Sequence, residues 1–480
     1  MLYGYNGKIL RVDLSKGTTS AEEIDELFCR KYLGGAGFVS YFLLKELRPG
    51  IDPLGPENKL IFALGPVTGV SLPGNARNCI GAKSPLTGGY AKSEVGGFWN
   101  AELKHAGYDA IIVEGKAAKP VYLWIQDGEA SIRDATHLWG KTMKETLETI
   151  KTELGDDRIC VAGIGLGGEN LVRIACIMNG LKNAAGRGGM GAVMGSKNLK
   201  AIAIRGHKGP EVADSERVKE IRQWVLDNRK LWASFADYGT GAPAGMQSGE
   251  AEGNLPVRNF RDGEFPDVSK IDGGAVKDTI GVKMEGCWGC PVRCKKVVKV
   301  DEPYSVDPDY GGPEYETLAA IGSNCGVSDL KAIAKGNELC GAYSLDTIST
   351  GVTISFAMEC FENGLLTTKD TDGIELRFGN ADAMLKTIEL IARREGIGDI
   401  LAEGTLCAAQ KIGKGAMEFA MHVKGMEIPM HEPRVKAALG LGYMVNPHGA
   451  DHCANLHDTM ISQTGGQLDR IKPLGILEPL

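Results

Sequence analysis

Two patterns of apolar spacing divide this chain near Lys208. Before it, short apolar and β-branched runs recur: KILRVDL, KLIFALG, DAIIVEG and LKAIAIRG, each bounded by Gly or Asp. Runs of that length with such boundaries predict strands. VYLWIQDGEASIRDA carries two runs around Asp127-Gly128, the residue pair favoured in a two-residue hairpin turn. FVSYFLLKEL and TMKETLETIKTELG interrupt the strands. The second repeats apolar residues near every 3.6 positions and stops at Gly155, and both read as helices.

After Lys208 helical spacing takes over. SERVKEIRQWVLDNRKLWASFADYG is charged and amphipathic. DLKAIAKGNELCGAYS, TISFAMECFENG and AMLKTIELIARREG follow, each closing near glycine as helices often do. Asp301 to Gly312 reads as an acidic, proline-containing loop. The expected class is α+β, with a β-rich domain over 1–208, a helical domain over 209–418 and the start of a second helical domain over 419–480. The closing stretch, LDRIKPLGILEPL, carries no terminating motif, so the last domain is expected to be incomplete.

Composition narrows the class. The 480 residues are 43% hydrophobic and 24% charged, which suits a globular chain with a large core. The net charge of −7 comes without a basic arm or a finger spacing, which argues against nucleic-acid binding. MLYGYNGKILRVDL lacks the basic and apolar regions of a secretory signal. There is no apolar run of about 18 residues, the length needed to cross a membrane. A cytoplasmic protein with reduced thiols is therefore expected. Of the 12 cysteines, Cys79, Cys160, Cys176, Cys360 and Cys407 keep apolar or small company and read as packing residues.

Cys287, Cys290 and Cys294, in GCWGCPVRCKK, are different: they form C-x2-C-x3-C. Close thiolates of this kind ligate iron–sulfur clusters, and a [4Fe–4S] cluster takes four. Structural zinc competes for such a site, although its ligands usually come as two separated pairs. The spacing favours the cluster. Cys325, Cys340 and Cys453 are candidates for the fourth ligand, as is a cysteine beyond residue 480. Arg293, Lys295, Lys296 and Lys299 beside the thiols suit either an acidic electron carrier or a solvated strand face.

GIGLGG, Gly163 to Gly168, fits G-x-G-x-x-G, but a dinucleotide site needs a helix opening there and an acid about 20 residues on. ENLVRIACIMNG follows instead and reads as strand and turn. NAAGRGGMGAVMGSKNLK clusters glycines around Arg187, a composition able to form a nest of N–H groups for anionic oxygens. GNARNCIGAKSPLTGGYAKSEVGGFW is a second such loop. Together they suggest a large, phosphate-bearing cofactor.

NGKILRVDLSKG, YLGGAGF, KSPLTGG, ELKHAGYDAIIVEGKA, AAGRGGMGAVMGSKNLKAIA, CWGCPVRC, GPEYE and LDTISTG occur in one order. Together they resemble the aldehyde:ferredoxin oxidoreductase family of tungsten enzymes, along the whole chain. The resemblance implies a first domain cradling tungsten held by two pterin dithiolenes, with molybdenum as the alternative metal, and Mg2+ bridging the pterin phosphates. It implies oxidation of an aldehyde to a carboxylic acid, with electrons passing through a [4Fe–4S] cluster to ferredoxin. A homodimer is the family default.

Position by position, Cys287, Cys290 and Cys294 match three cluster ligands, and the fourth falls past residue 480. Arg77, Gly96, Ala184, Gly186 and Asp346 match pterin contacts. Asn183 stands where an Arg is typical, Glu94 where an Asn is, Gly341 where an Asp is, and Ala454 where a Lys is. Lys335 and Leu385 occupy the positions of a Glu and a His that share a metal between subunits in some members, so no such metal is expected. Glu316 in GPEYE matches the active-site base. His452 in NPHGADHCAN matches the proton donor to the substrate oxygen, with His448 and His457 as local alternatives. The logic is a pair of groups in different protonation states. Two other readings stay open: a tungsten subunit of a reductase acting on aromatic thioesters of the benzoyl-CoA type, and a degenerate, non-catalytic paralogue.

Overall fold

A computed structural model describes residues 3–455 together with 457 and 458. The closing stretch LDRIKPLGILEPL lies outside the described residues. Strands β1 (Lys8–Asp13), β2 (Thr18–Glu23), β3 (Leu60–Leu64), β4 (Asn78–Lys83), β5 (Tyr90–Val95) and β6 (Ala110–Glu114) form one sheet, in the order β2-β1-β6-β3-β4-β5. Strands β7 (Val121–Gln126), β8 (Glu129–Asp134), β9 (Cys160–Gly163), β10 (Ile177–Asn179), β11 (Asn183–Ala185) and β12 (Leu199–Arg205) form a second, ordered β11-β10-β9-β12-β7-β8.

Period-two alternation explains how the sheets stack. Leu10, Val12, Leu60, Phe62, Ile111 and Val113 of the first sheet share one core with Leu123, Ile125, Ile202 and Ile204 of the second. The intervening residues face outward. Ile9, Ile61, Ala63 and Ile112 pack under Phe38, Val39 and Phe42 of helix Ala36–Glu46. Tyr122, Val161, Ala201 and Ala203 pack under Ile150 of helix Met143–Leu154. A helix thus covers each outer face of the sandwich. Strands buried on both faces read as unbroken apolar runs, which is why these stood out in the sequence. The turn at Asp127 (φ 45°) and Gly128 (φ 95°) takes the doubly left-handed form of a two-residue hairpin.

The helical half packs around Leu330–Tyr343, Thr347–Glu362 and Ala381–Arg393. Their amino ends are capped by the side chains of Asp329, Asp346 and Asn380. The amphipathic stretch after Lys208 is not one helix. It divides into Ser215–Asp227, a 3-10 turn at Arg229–Trp232 and Ala233–Tyr238. Asn228 ends the first piece by donating from its side chain to the Trp224 carbonyl at 2.8 Å. Ile221, Trp224, Leu226, Leu231 and Phe235 stay exposed.

GIGLGG opens only one helical turn, Leu166–Glu169. A Cβ on Gly165 would lie 2.4 Å from the Ala342 carbonyl oxygen, so this glycine serves close contact between the two halves. A hairpin of β13 (Gly281–Glu285) and β14 (Lys295–Val298) holds the cysteine loop at its tip; the sequence had not marked β13. No described helix is long and apolar enough to cross a membrane.

Candidate active site

Glu316 lies in the first turn of the short helix Tyr315–Ala320, whose N-cap is Glu314. Only 15% of its side chain is exposed. Its Oε2 accepts from the Met430 N–H at 2.9 Å. Its Oε1 faces two imidazoles: His431 Nε2 at 3.1 Å and His452 Nε2 at 3.5 Å. Burial alone would raise the carboxyl. His452, His431 and the Met430 N–H outweigh it and hold Glu316 at about 2, because nearby positive charge and donated hydrogen bonds favour the carboxylate. Burial disfavours a charged His452, yet Glu316, Cys453 and Asp451 carry it up to about 9. At neutral pH the pair is carboxylate and imidazolium.

The other histidines sort themselves by contact. His448 is buried and bonds Asp451 Oδ2 at 3.1 Å. His457 Nε2 meets the His452 carbonyl at 3.0 Å, which supports the loop rather than facing the carboxylate. His431 is the residue that sequence reasoning missed. It stacks on Tyr315 with ring centroids 5.1 Å apart, and its segment, PMHEPR, carries no spacing that would single it out.

The cysteine loop docks on the first domain. Trp288 N–H donates to the Gly97 carbonyl at 3.2 Å, and its ring meets that of His105 edge-on at 5.1 Å. A Cβ on Gly96 would fall 2.9 Å from Cys287 Sγ and 3.7 Å from Asn183 Oδ1. Gly96, Asn183 and Cys287 therefore converge. Burial pushes the Cys294 thiol up while Lys295 opposes it; Glu314, Cys287 and Cys290 also act on it. Cys325, Cys340 and Cys453 are engaged elsewhere. The first two are fully buried, the Cys325 thiol donates to the carbonyls of Ala320 and Gly351, and Cys453 lies beside His452. None supplies a fourth ligand among the described residues. Of the four cations near the loop, two turn inward. Lys295 donates to Glu314 Oε1 at 2.8 Å and Lys296 to the Thr240 carbonyl at 2.6 Å. Lys299 pairs with Asp301 at 3.1 Å, leaving Arg293 exposed. This is a poorer docking patch than the sequence suggested. The carboxylate that holds Lys295 belongs to Glu314, two residues before Glu316, so one short segment touches both the thiol loop and the acid.

Of the expected pterin contacts, Gly186 and Asp346 come together: a Cβ on Gly186 would lie 3.3 Å from Asp346 Oδ1. Arg187 follows Gly186, and its Nε is 3.3 Å from Asp346 Oδ2. Arg187 is buried, with Nε and Nη1 lacking a hydrogen-bond partner. Arg77 is exposed on the loop before β4, and Ala184 is exposed on β11. The glycine nest is partly spent internally. Arg187 N–H donates to Ser93 Oγ at 3.2 Å and Gly191 N–H to the Ala175 carbonyl at 3.0 Å. Cβ atoms on Gly189 and Gly195 would lie 2.4 Å and 1.9 Å from carbonyl oxygens, so these glycines permit close backbone packing.

Comparison with known proteins gives this arrangement a relative. The family profile "Aldehyde ferredoxin oxidoreductase, N-terminal domain" matches residues 9–206, and "Aldehyde ferredoxin oxidoreductase, domains 2 & 3" matches residues 216–475. A tungsten-containing aldehyde ferredoxin oxidoreductase of Pyrococcus horikoshii is 46% identical over 94% of this chain and 74% of its own. Its counterpart in Pyrococcus abyssi is 44% identical over the same shares. Among solved structures, the active site complex BamBC of benzoyl coenzyme A reductase with 1,5-dienoyl-CoA matches at a TM-score of 0.79 and 35% identity. That match covers 89% of this chain and 66% of the solved one. Both halves of the chain, the sandwich and the helical part that brings Glu316 to His452, therefore belong to the aldehyde ferredoxin oxidoreductase family.

Proposed function

We propose that this protein oxidises aldehydes to carboxylic acids and passes the electrons to a ferredoxin. The observation that carries the reading is the Glu316 carboxylate held ionised at 3.5 Å from the His452 imidazolium. The identity to tungsten-containing aldehyde enzymes across nearly the whole chain supports it.

The residues suit a tungsten bis-pterin, with which Mg2+ would be an accompanying ion. The buried Arg187 makes no hydrogen bond from Nη1 and only an ion pair to Asp346 from Nε, so it keeps donor capacity of the kind an anionic cofactor satisfies. Gly96 places no side chain between Asn183 and Cys287. Arg77, Gly96, Asn183, Ala184, Gly186 and Asp346 would hold the pterins, and Cys287, Cys290 and Cys294 would ligate the [4Fe–4S] cluster. When bound, the tungsten supplies a two-electron acceptor, for which molybdenum is the alternative.

The chain's own part is proton handling. His452 donates to the aldehyde oxygen and polarises the carbonyl, and Glu316 takes the proton released as oxygen from water joins the carbon. The two acts are coupled. Once His452 gives up its proton, the charge holding Glu316 low is gone, and the carboxylate gains proton affinity when it needs it.

The test is elemental analysis of protein produced anaerobically with tungstate, together with ferredoxin-linked turnover of a series of aldehydes. Tungsten and iron with aldehyde oxidation are expected. Zinc alone would remove the redox reading, and neither metal with no turnover would identify a degenerate paralogue. Reduction of an aromatic thioester without aldehyde turnover would favour the BamBC-like reading.

A further inference from the structure

Aldehyde and water yield the acid, two protons and two electrons. On the proposed reading the electrons leave through the metal centres to ferredoxin, while the protons are released beside a largely buried carboxylate. They need a separate way out. His431 Nε2 is 3.1 Å from Glu316 Oε1. On the far side of the same ring, Nδ1 is 3.4 Å from Lys436 Nζ. That ammonium is in turn 3.0 Å from His457 Nδ1. His431 and Lys436 are 9% and 5% exposed, whereas His457 is half-buried. Four titratable side chains thus form one line of polar contacts of 3.0–3.4 Å from Glu316 outward, and Lys436 makes no ion pair among the described residues.

We infer that His431 and Lys436 form a proton relay that empties Glu316 through His457. The transfer balances without another reactant. With its hydrogen on Nδ1, His431 accepts the Glu316 proton at Nε2 and releases its Nδ1 hydrogen to Lys436 Nζ as Lys436 gives one up. In the same movement the Lys436 ammonium gives a proton of its own to His457 Nδ1, and the half-buried ring releases its Nε2 hydrogen, until then donated to the His452 carbonyl, to water. The groups facing the line come from several elements: His452 and Asp451 from the following loop, Tyr315 beside Glu316, Tyr443 from helix Ala437–Val445, and Glu252 and Asp458 around Lys436. Burial lowers Lys436, which makes its ammonium a readier proton donor to His457. Burial, with His431 and Lys436 adding to it, lowers His457 to about 4, so it does not retain the proton.

The relay rests on the aldehyde reading for its purpose, but its coupling can be measured without turnover. Histidine ring nitrogens are followed by NMR in wild type and Lys436→Met. Removing the ammonium should move the titrations of His431 and His457 to higher pH, with the thermal midpoint nearly unchanged. In the loaded enzyme, Lys436→Met should cut steady-state turnover about 10²-fold, the lower end of proton-transfer effects. The first turnover should keep its rate, and added imidazole should restore the steady state. Unmoved titrations, or a turnover loss that imidazole does not restore, would overturn the relay. Moved titrations in a protein that oxidises no aldehyde would keep the coupling and reject the aldehyde reading instead.

Discussion

His452 Nε2 stands 3.5 Å from Glu316 Oε1, and the two residues are 136 positions apart in the chain. Glu316 opens a short helix and His452 sits on a loop, so only the tertiary fold makes them a pair. If the pair does the proton chemistry, Glu316→Gln keeps the shape and removes the acceptor. Turnover should fall about 10²–10⁴-fold, with KM for the aldehyde and tungsten content close to wild type. Equal losses of turnover and bound tungsten would make Glu316 a structural residue.

The same contact fixes a pH response. Glu316 is held at about 2, below its ordinary 4.5, so its stabilisation is complete above 4.5 and is lost as pH falls through about 2. His452 is raised from 6.5 to about 9, so its stabilisation is complete below 6.5 and is lost as pH rises through about 9. Both follow from proton linkage. Activity that depends on protonated His452 should therefore decline above about pH 9. Because Glu316 contributes the largest upward pull on His452, Glu316→Gln should move the residual alkaline limb toward neutrality. A limb that stays in place would assign it to another group.

Much of the sandwich was legible because its strands are buried on both faces and read as apolar blocks. The Asp127-Gly128 turn and the helix stopped by Gly155 announced themselves through local chemistry. The motif match led to Glu316, His452 and the thiols, while the approach of His452 to Glu316 was invisible. The glycine-rich loop shows the limit of composition. Gly189 and Gly195 looked like anion-binding positions but accommodate carbonyl oxygens of neighbouring segments. Arg187, which precedes both, carries the side-chain nitrogens left without a hydrogen bond. His431 gave no signal, since a lone histidine between prolines acquires meaning only from the carboxylate that packs against it. Lys295 and Lys296 looked like surface charge until Glu314 drew them inward.

Gly96 tests the proposed join between pterin site and cluster. An added Cβ would fall 2.9 Å from Cys287 Sγ, and the strand before it leaves little room to retreat. Gly96→Ala should lower the iron bound per chain and weaken its iron–sulfur absorption, with circular dichroism unchanged. Iron content equal to wild type would show that the thiol does not hold its ligating position against Gly96.

The first domain's stability rests partly on a buried pair far from these loops. Lys104 Nζ and Asp109 Oδ1 are 2.7 Å apart, with both side chains 0% exposed. Lys104 also donates to the Gly4 carbonyl at 2.9 Å. Asp109 Oδ2 accepts the N–H groups of Asn6 and Gly7 at 2.9 Å and 2.8 Å. The pair pins the amino-terminal segment to the end of helix Trp99–His105 and the start of β6. Lys104→Met matches the length but strands a carboxylate in the core. Breaking one partner of such a pair costs about 3–5 kcal/mol, most of it for the charge left behind. Asp109→Asn on top of Lys104→Met removes that charge and keeps one carbonyl oxygen for the two N–H groups. The double variant should therefore be more stable than Lys104→Met alone in urea unfolding followed by the fluorescence of Trp99, which is buried in the same domain. Simple addition of two losses would mean that the residues act independently and that the ion pair does not anchor this segment.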